Sequence, residues 1–236
     1  MRSLVINIFI GYEQEHPEAY EVCKESILRF NKDHEIQPLI KEELIQRGIY
    51  TRPYQGESTD FAFTRFLVPY LMEYSGFALF CDGDFLWRCD PQEIEEQINS
   101  HHGVYVVKHP ELITSKHVKM EGKINRPYPM KYWSSLMYMD CEKCHSLTPE
   151  GVSWLPASDL HGFKWANGGI GELPATYNTL LGYYAFNDPK AIHFTDGGPW
   201  LEQYKNVEYA DEWRDVYNNW KVRSKEDGQP AYLSTA

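Results

Sequence analysis

The chain has 236 residues, with 23 Lys and Arg against 34 Asp and Glu, for a formal net charge of -11. That length suits one complete α/β core, so a single domain over residues 1–236 is expected, and the acidic balance opposes a nucleic-acid-binding role, which needs basic patches. Five cysteines without a repeated spacing argue against a disulfide framework and for a reducing compartment.

Leu4 to Ile10 reads as a buried first strand ending at Gly11 and Tyr12. Interrupted by Asn7 and lacking a cleavage region, it is neither a signal peptide nor close to the ~20 apolar residues that span a bilayer. With no transmembrane segment expected, the location read from the sequence is cytoplasmic, or the cytosolic face of a membrane. Pro17 to Phe30 carries apolar residues at helical spacing, with Pro17 suited to a first turn. His34 to Ile40 follows as a strand and Lys41 to Arg47 as a short helix closed by Gly48. Beyond the Pro- and Gly-rich loop from Thr51 to Glu57, Ser58-Thr59-Asp60 can cap a helix through Tyr74, kinked at Pro69.

Phe77 to Cys81 is a central strand, Pro91 to Ser100 a polar helix and Gly103 to Lys108 another strand. Pro110 to Pro129 has no period and reads as a basic loop or flap. Trp133 to Asp140 returns as a strand, and short helical or irregular pieces follow to Pro174. Ala175 to Tyr184 and the strand Ala191 to Phe194 come next, then an amphipathic helix from Asp211 to Arg223. The alternation predicts an α/β fold with one mostly parallel sheet flanked by helices.

The chemistry concentrates at strand ends. Asp82-Gly83-Asp84 places two carboxylates one residue apart where an apolar strand stops, a doubly negative oxygen site suited to a divalent cation. Gly11-Tyr12 and Lys108-His109 also follow predicted strands, and open α/β sheets bind ligands beyond their carboxyl ends. His193 closes a late strand and is followed by Gly197-Gly198; an imidazole added to the two carboxylates suits Mn²⁺, or Mg²⁺ in its place, and glycines let backbone amides approach phosphate. Arg65 is expected to fork onto a phosphate or onto Asp82. Trp133, Trp165 and Trp200 are available to shape a sugar or base pocket, while one Cys-x-x-Cys, Cys141 to Cys144, makes a poor zinc site.

The run Phe61 to Leu71 followed by Phe80-Cys81-Asp82-Gly83-Asp84 resembles the helix and Asp-x-Asp block of family-8 glycosyltransferases. Trp133-Ser134-Ser135-Leu136-Met137, Leu173-Pro174-Ala175-Thr176-Tyr177-Asn178, and His193-Phe194-Thr195 with Gly198-Pro199-Trp200 extend the likeness, in order, over most of the chain. The pattern is closest to small single-domain bacterial and viral glycosyltransferase-like proteins. The resemblance implies a GT-A (nucleotide-diphospho-sugar transferase) fold with a Rossmann-like sheet. It also implies transfer of a sugar from a nucleotide-sugar donor, UDP favoured, to a glycan or other hydroxyl acceptor.

On that basis Asp82, Asp84 and His193 are expected to hold the metal. Ile10, Gly11, Tyr12, Arg65, Asp82, Gly83, Lys108, Trp133, Ser134, Ser135, Gly197, Gly198 and Trp200 are expected to line the donor site. Two departures stand out. The lysine that precedes Pro-Trp in many relatives is Gly198 here, which shifts phosphate neutralisation to the metal, backbone amides or Lys108. An acceptor-side Asp-Gln pair is absent, and Asn167 and Glu172 occupy that region. Catalytic roles then fall to Asp82 and, if the reaction inverts configuration, to Glu172 as base. The alternatives are a haloacid-dehalogenase-type phosphatase with Asp82 as nucleophile and Asp84 as acid/base, or a non-catalytic sugar-nucleotide-binding protein on the same scaffold.

Overall fold

Strands that are apolar without alternation need cover on both faces, and the main sheet has it. The computed structural model describes residues 5–98, 101–110, 130, 132–183 and 185–226. Apart from Pro110, the expected flap over residues 110–129 lies outside the described residues. The first elements are β1 (Asn7–Gly11), α1 (Pro17–Leu28), β2 (Glu35–Leu39), α2 (Lys41–Gln46), α3 (Val68–Leu71), β3 (Phe77–Cys81), β4 (Phe85–Trp87) and β5 (Val104–Val106). They are followed by β6 (Leu136–Asp140), α4 (Pro149–Trp154), α5 (Ala157–Leu160), β7 (Ile170–Glu172), β8 (Thr179–Leu180), β9 (Ala191–His193) and α6 (Ala210–Glu226).

The six-stranded sheet runs β2-β1-β3-β6-β5-β7. β1 pairs in parallel with β2 and β3, and β5 with β7, whereas β6 is antiparallel to both of its neighbours. Side chains alternate between two cores with the period-2 pleat. Phe9, Phe80, Met137 and Val106 point to one core, with Phe61 and Phe66; Ile8, Ile10, Leu79, Cys81 and Tyr138 point to the other, with Tyr20 and Ile27 of α1. Ile8 and Ile10 are wholly buried, each contributing roughly 1.5–3 kcal/mol of transfer free energy. β2 lies at the sheet edge, where Pro38 is tolerated.

A second sheet, β4-β9-β8, is absent from the sequence reading. Its side chains Leu86 and Ile192 pack with Val22 of α1 and with Trp213 and Val216 of α6 in a third core. The C-terminal helix is therefore docked on the fold. Glu212 on α6 also pairs with Arg29 and Arg88.

Several expected elements change. Residues 58–63 are turns, Thr64–Leu67 is a 3-10 turn and only Val68–Leu71 is α-helical. Pro69 explains the break: it has no amide to donate and its ring crowds the preceding turn, so it serves in a first turn instead. Pro91–Gln97 is a 3-10 run, with the Asp90 carboxylate accepting from the Gln92 amide. Trp133–Ser135 is a 3-10 turn, and the strand starts only at Leu136.

The ends of β1 and β3 meet at two glycines. A methyl group at Gly83 would lie 2.4 Å from the Gly11 carbonyl oxygen, and one at Gly11 would lie 2.5 Å from the Phe61 ring. Gly83→Ala must push backbone away from backbone, so a loss of about 1–3 kcal/mol is expected in urea unfolding. A midpoint equal to that of the wild-type protein would show the contact to be slack.

Candidate metal centre

Three chain segments converge beyond the end of β3. Two residues past Phe80, Asp82 continues the same face of the strand and meets Arg65, whose Nη1 lies 2.8 Å from Asp82 Oδ1. The turn at Gly83 then leads into β4, which pairs antiparallel with β9 and sets Phe85 opposite His193. The Phe194 amide donates to the Asp84 carbonyl at 3.0 Å, and His193 Nε2 lies 3.3 Å from Asp84 Oδ1. One ligand-type atom each from Asp82, Asp84 and His193 lie within 4.8 Å of one another. A cation with ~2.1 Å bonds needs its ligands within about twice that distance of each other, so a small side-chain movement closes the set. Two carboxylate oxygens and an imidazole nitrogen make a ligand set that could hold a divalent cation.

The environment of the group is polar but organised. Arg65 is held at several points: Nε donates to the Phe61 carbonyl at 3.1 Å, Nη1 donates to the Ser134 carbonyl at 2.8 Å, and the guanidinium packs over the Phe61 and Phe80 rings. Of its two expected partners, phosphate or Asp82, the geometry gives it Asp82. Two carboxylates less one guanidinium leave a single net negative charge. A bound dication would therefore keep a net positive charge with which to meet a diphosphate.

His193 is buried and its Nδ1 is 2.9 Å from Asn178 Oδ1. Asn178 is wholly buried in the turn before β8, and its Nδ2 is 2.9 Å from Ser135 Oγ. The Tyr132 ring lies nearly perpendicular to those of both His193 and His109. Burial, together with nearby His193, lowers the His109 pKa to about 3, so this imidazole stays neutral.

The remaining expected site residues divide. Tyr12, half-buried at the end of β1, meets Tyr20 edge-on, and Lys108 is half-buried at the end of β5. Both follow the carboxyl ends of parallel strands, whereas Ile10 belongs wholly to the core. The Ser135 hydroxyl donates to the Tyr132 carbonyl at 2.6 Å, and Ser134 Oγ is 2.9 Å from His161 Nδ1; both hydroxyls already have internal partners. Trp133 donates its indole N–H to the His109 carbonyl at 2.7 Å, which ties its turn to the loop after β5. Trp165 is buried in the core.

Gly197 adopts φ 128°, a backbone region that favours glycine. A Cβ at Gly198 would lie 2.0 Å from the Trp200 ring, so the ring occupies the space a side chain there would need. Trp200 in turn packs on Phe194 and Trp213, joining the crevice wall to α6. Glu172 is exposed at the end of β7, three strands from β3; at ~4.8 Å per strand it is about 14 Å along the sheet from the carboxylate pair.

Sequence reasoning assigned no role to Asn178 or His161. Asn178 lies in the quoted segment Leu173 to Asn178, and a polar residue between Tyr177 and the short β8 was the available signal. His161 follows a short helix and carries no local signal; only packing brings it to Ser134.

No family model matches the sequence. Protein CDI of Arabidopsis thaliana is 36% identical over 235 residues, which span 95% of this chain and 90% of that one. Among solved structures, the glycosyltransferase GlyE of Streptococcus pneumoniae TIGR4 superposes with a TM-score of 0.60 at 11% identity, over 98% of this chain and 66% of that one. This chain thus spans about two thirds of GlyE. The galactosyltransferase LgtC, solved with donor and acceptor sugar analogues, superposes with a TM-score of 0.56 at 10% identity, over 91% of this chain and 96% of that one. At such identities these structures establish the fold, which is GT-A. Among the described residues, no helix is long and apolar enough to cross a membrane.

His161 provides a test of the packing around the centre. Lodged against the Phe63 and Phe66 rings, its pKa is lowered to about 3 by burial and then by Arg65 and Arg52. The unfolded chain takes up that proton near pH 6.5 and the folded chain does not, so this contribution to stability is fully present above ~6.5 and is lost as pH falls toward about 3. Thermal melts between pH 7 and 5 should show stability falling with acid, by at most about 1.4 kcal/mol per pH unit for this group. His161→Gln should flatten that slope; an unchanged slope would assign it to other groups.

Proposed function

The chain belongs to the family of Arabidopsis thaliana Protein CDI and has a GT-A fold; from that premise we propose that it is a metal-dependent glycosyltransferase of family-8 type. It transfers a sugar from a nucleotide-diphosphate donor, a UDP-sugar, to a hydroxyl of a glycan or other acceptor, as a single-domain cytoplasmic enzyme. The observation that carries this reading is the Asp82-Asp84-His193 group at the crevice end of the sheet, where GT-A folds offer room for a donor. The haloacid-dehalogenase alternative loses its support, because that chemistry belongs to a different scaffold.

Asp82, Asp84 and His193 would hold Mn²⁺ or Mg²⁺. A bound cation would act as a Lewis acid, offsetting the negative charge that develops on the departing diphosphate. Arg65 pairs with Asp82, and its hydrogen bonds to the Phe61 and Ser134 carbonyls hold the guanidinium in place. The backbone at Gly197 and Gly198 borders the diphosphate, and Trp200 closes that wall. Lys108 supplies the side-chain cation in place of the lysine missing at position 198. Tyr12 lies where the base would stack, beyond β1.

A general base must come within hydrogen-bond reach of the acceptor hydroxyl. The separation of Glu172 from the carboxylate pair supports a retaining reaction, which requires no such base, and leaves Glu172 to hold the acceptor.

The reading is tested by thermal unfolding of the wild-type protein and Asp84→Asn with UDP, GDP and CDP, each with Mn²⁺, Mg²⁺ or EDTA. One nucleotide at ~100 times its dissociation constant should stabilise the wild-type fold by ~2.7 kcal/mol, only with metal, and the variant should lose the shift. An undiminished metal-dependent shift in Asp84→Asn would sink the assignment. Binding without hydrolysis or transfer of any sugar would favour the non-catalytic alternative.

A further inference from the structure

We propose that Asn178 is a positioning residue that holds His193 in one tautomer, protonated at Nδ1, so that the Nε2 lone pair faces Asp82 and Asp84. The direction of this relay follows from the groups that form it. It begins at the Tyr132 carbonyl, which can only accept. Ser135 Oγ lies 2.6 Å from that oxygen and has a single proton, so the proton goes there and Oγ is left to accept from its other neighbour.

That neighbour is the Asn178 side chain at 2.9 Å. Only its Nδ2 can donate, and the same nitrogen lies 3.5 Å from the Tyr132 carbonyl, a second acceptor. With Nδ2 fixed, Oδ1 must face His193 Nδ1, 2.9 Å away. Oδ1 accepts, so Nδ1 carries the ring proton. Nε2, 3.3 Å from Asp84 Oδ1, is then the lone-pair nitrogen.

Each member is buried, so no solvent exchange relaxes the order: His193, Asn178 and Ser135 are 1%, 0% and 2% exposed. The ring plane is fixed as well. Phe85, opposite His193 across the β4-β9 pair, stacks on the imidazole at 4.5 Å between centroids. A flipped amide would turn Nδ2 toward the ring, forcing the ring proton to Nε2, and would draw the Ser135 proton away from the Tyr132 carbonyl, giving up both the 2.6 Å bond and the Nδ2 contact to that same oxygen. A backbone carbonyl thus orients a metal-type ligand through two side chains, the way an outer partner orients a metal-bound histidine.

The relation to a cation rests on the function proposed above; the tautomer does not. Two measurements separate them. Long-range ¹H–¹⁵N correlation spectra of the metal-free wild-type protein at pH 8 should show His193 protonated at Nδ1 and bare at Nε2. Asn178→Leu should shift the ring toward the Nε2-protonated form, and Asn178→Asp, which keeps an acceptor facing Nδ1, should restore the wild-type pattern. Titration with Mn²⁺ alone, followed by electron paramagnetic resonance of the free ion, should show affinity weakened by about 10- to 100-fold in Asn178→Leu.

A wild-type His193 protonated at Nε2 would overturn the proposal. So would Asn178→Leu with an unchanged tautomer, or with unchanged Mn²⁺ affinity. If Asn178→Leu fails to fold, the wild-type and Asn178→Asp spectra still decide the matter. A wild-type protein that shows the Nδ1-protonated ring but binds no Mn²⁺ would support the relay and overturn the metal reading.

Discussion

Two carboxylates at the end of a buried strand repel each other, and the architecture of the crevice resolves that repulsion. At ~4–5 Å, like charges in an effective dielectric near 20 oppose one another by about 3–4 kcal/mol. Arg65 offsets part of this from one side, against Asp82. His193 brings its Nε2 to 3.3 Å from Asp84, a third ligand-type atom that leaves the remaining negative charge for a cation to offset. Arg65 and His193 come from distant parts of the chain, so the acidic pair also lies where the main sheet meets the smaller one.

The reversed strand β6 is the topological device that completes the site. Because β6 is antiparallel to β3, its beginning rather than its end lies beside Asp82, and Cys81 pairs with Leu136. The Ser135 carbonyl then accepts the Asp82 amide at 2.9 Å, the Ser134 carbonyl accepts from Arg65, and the Ser135 hydroxyl reaches Asn178. A parallel β6 would have delivered Asp140 to the crevice, adding a third negative charge. Antiparallel pairing instead sends Asp140 to the far end, opposite Phe77, where Lys143 meets it.

Much of the fold was legible because burial leaves a period in the sequence. The runs at β1 and β3, the helical spacing of α1 and the short β9 are each dictated by apolar positions that must be covered. Less legible were elements set by one residue's covalent chemistry or by distant partners. Pro69 cut a helix into turns, and β4, Phe85-Leu86-Trp87, is only three residues long, too short to show a period. For the candidate site, the ligand-type residues stood out by type and position. Ser134 and Ser135 instead have internal hydrogen-bond partners, which only packing reveals.

By itself the sequence determined which side chains could make a cation site and where each stood relative to a strand end, because residue type and local periodicity are local properties. It also determined that Gly83 and Gly11 mattered. The tertiary structure alone decided why they matter: each glycine makes room for a particular neighbour, Gly83 for the Gly11 carbonyl and Gly11 for the Phe61 ring. It alone also decided that Arg65 lies on Asp82, that Trp200 takes the space a side chain at position 198 would need, and that a carbonyl at Tyr132 orders the ring of His193. The last of these depends on strand direction and on hydrogen-bond polarity across 40 or more residues of chain, and no local pattern encodes it.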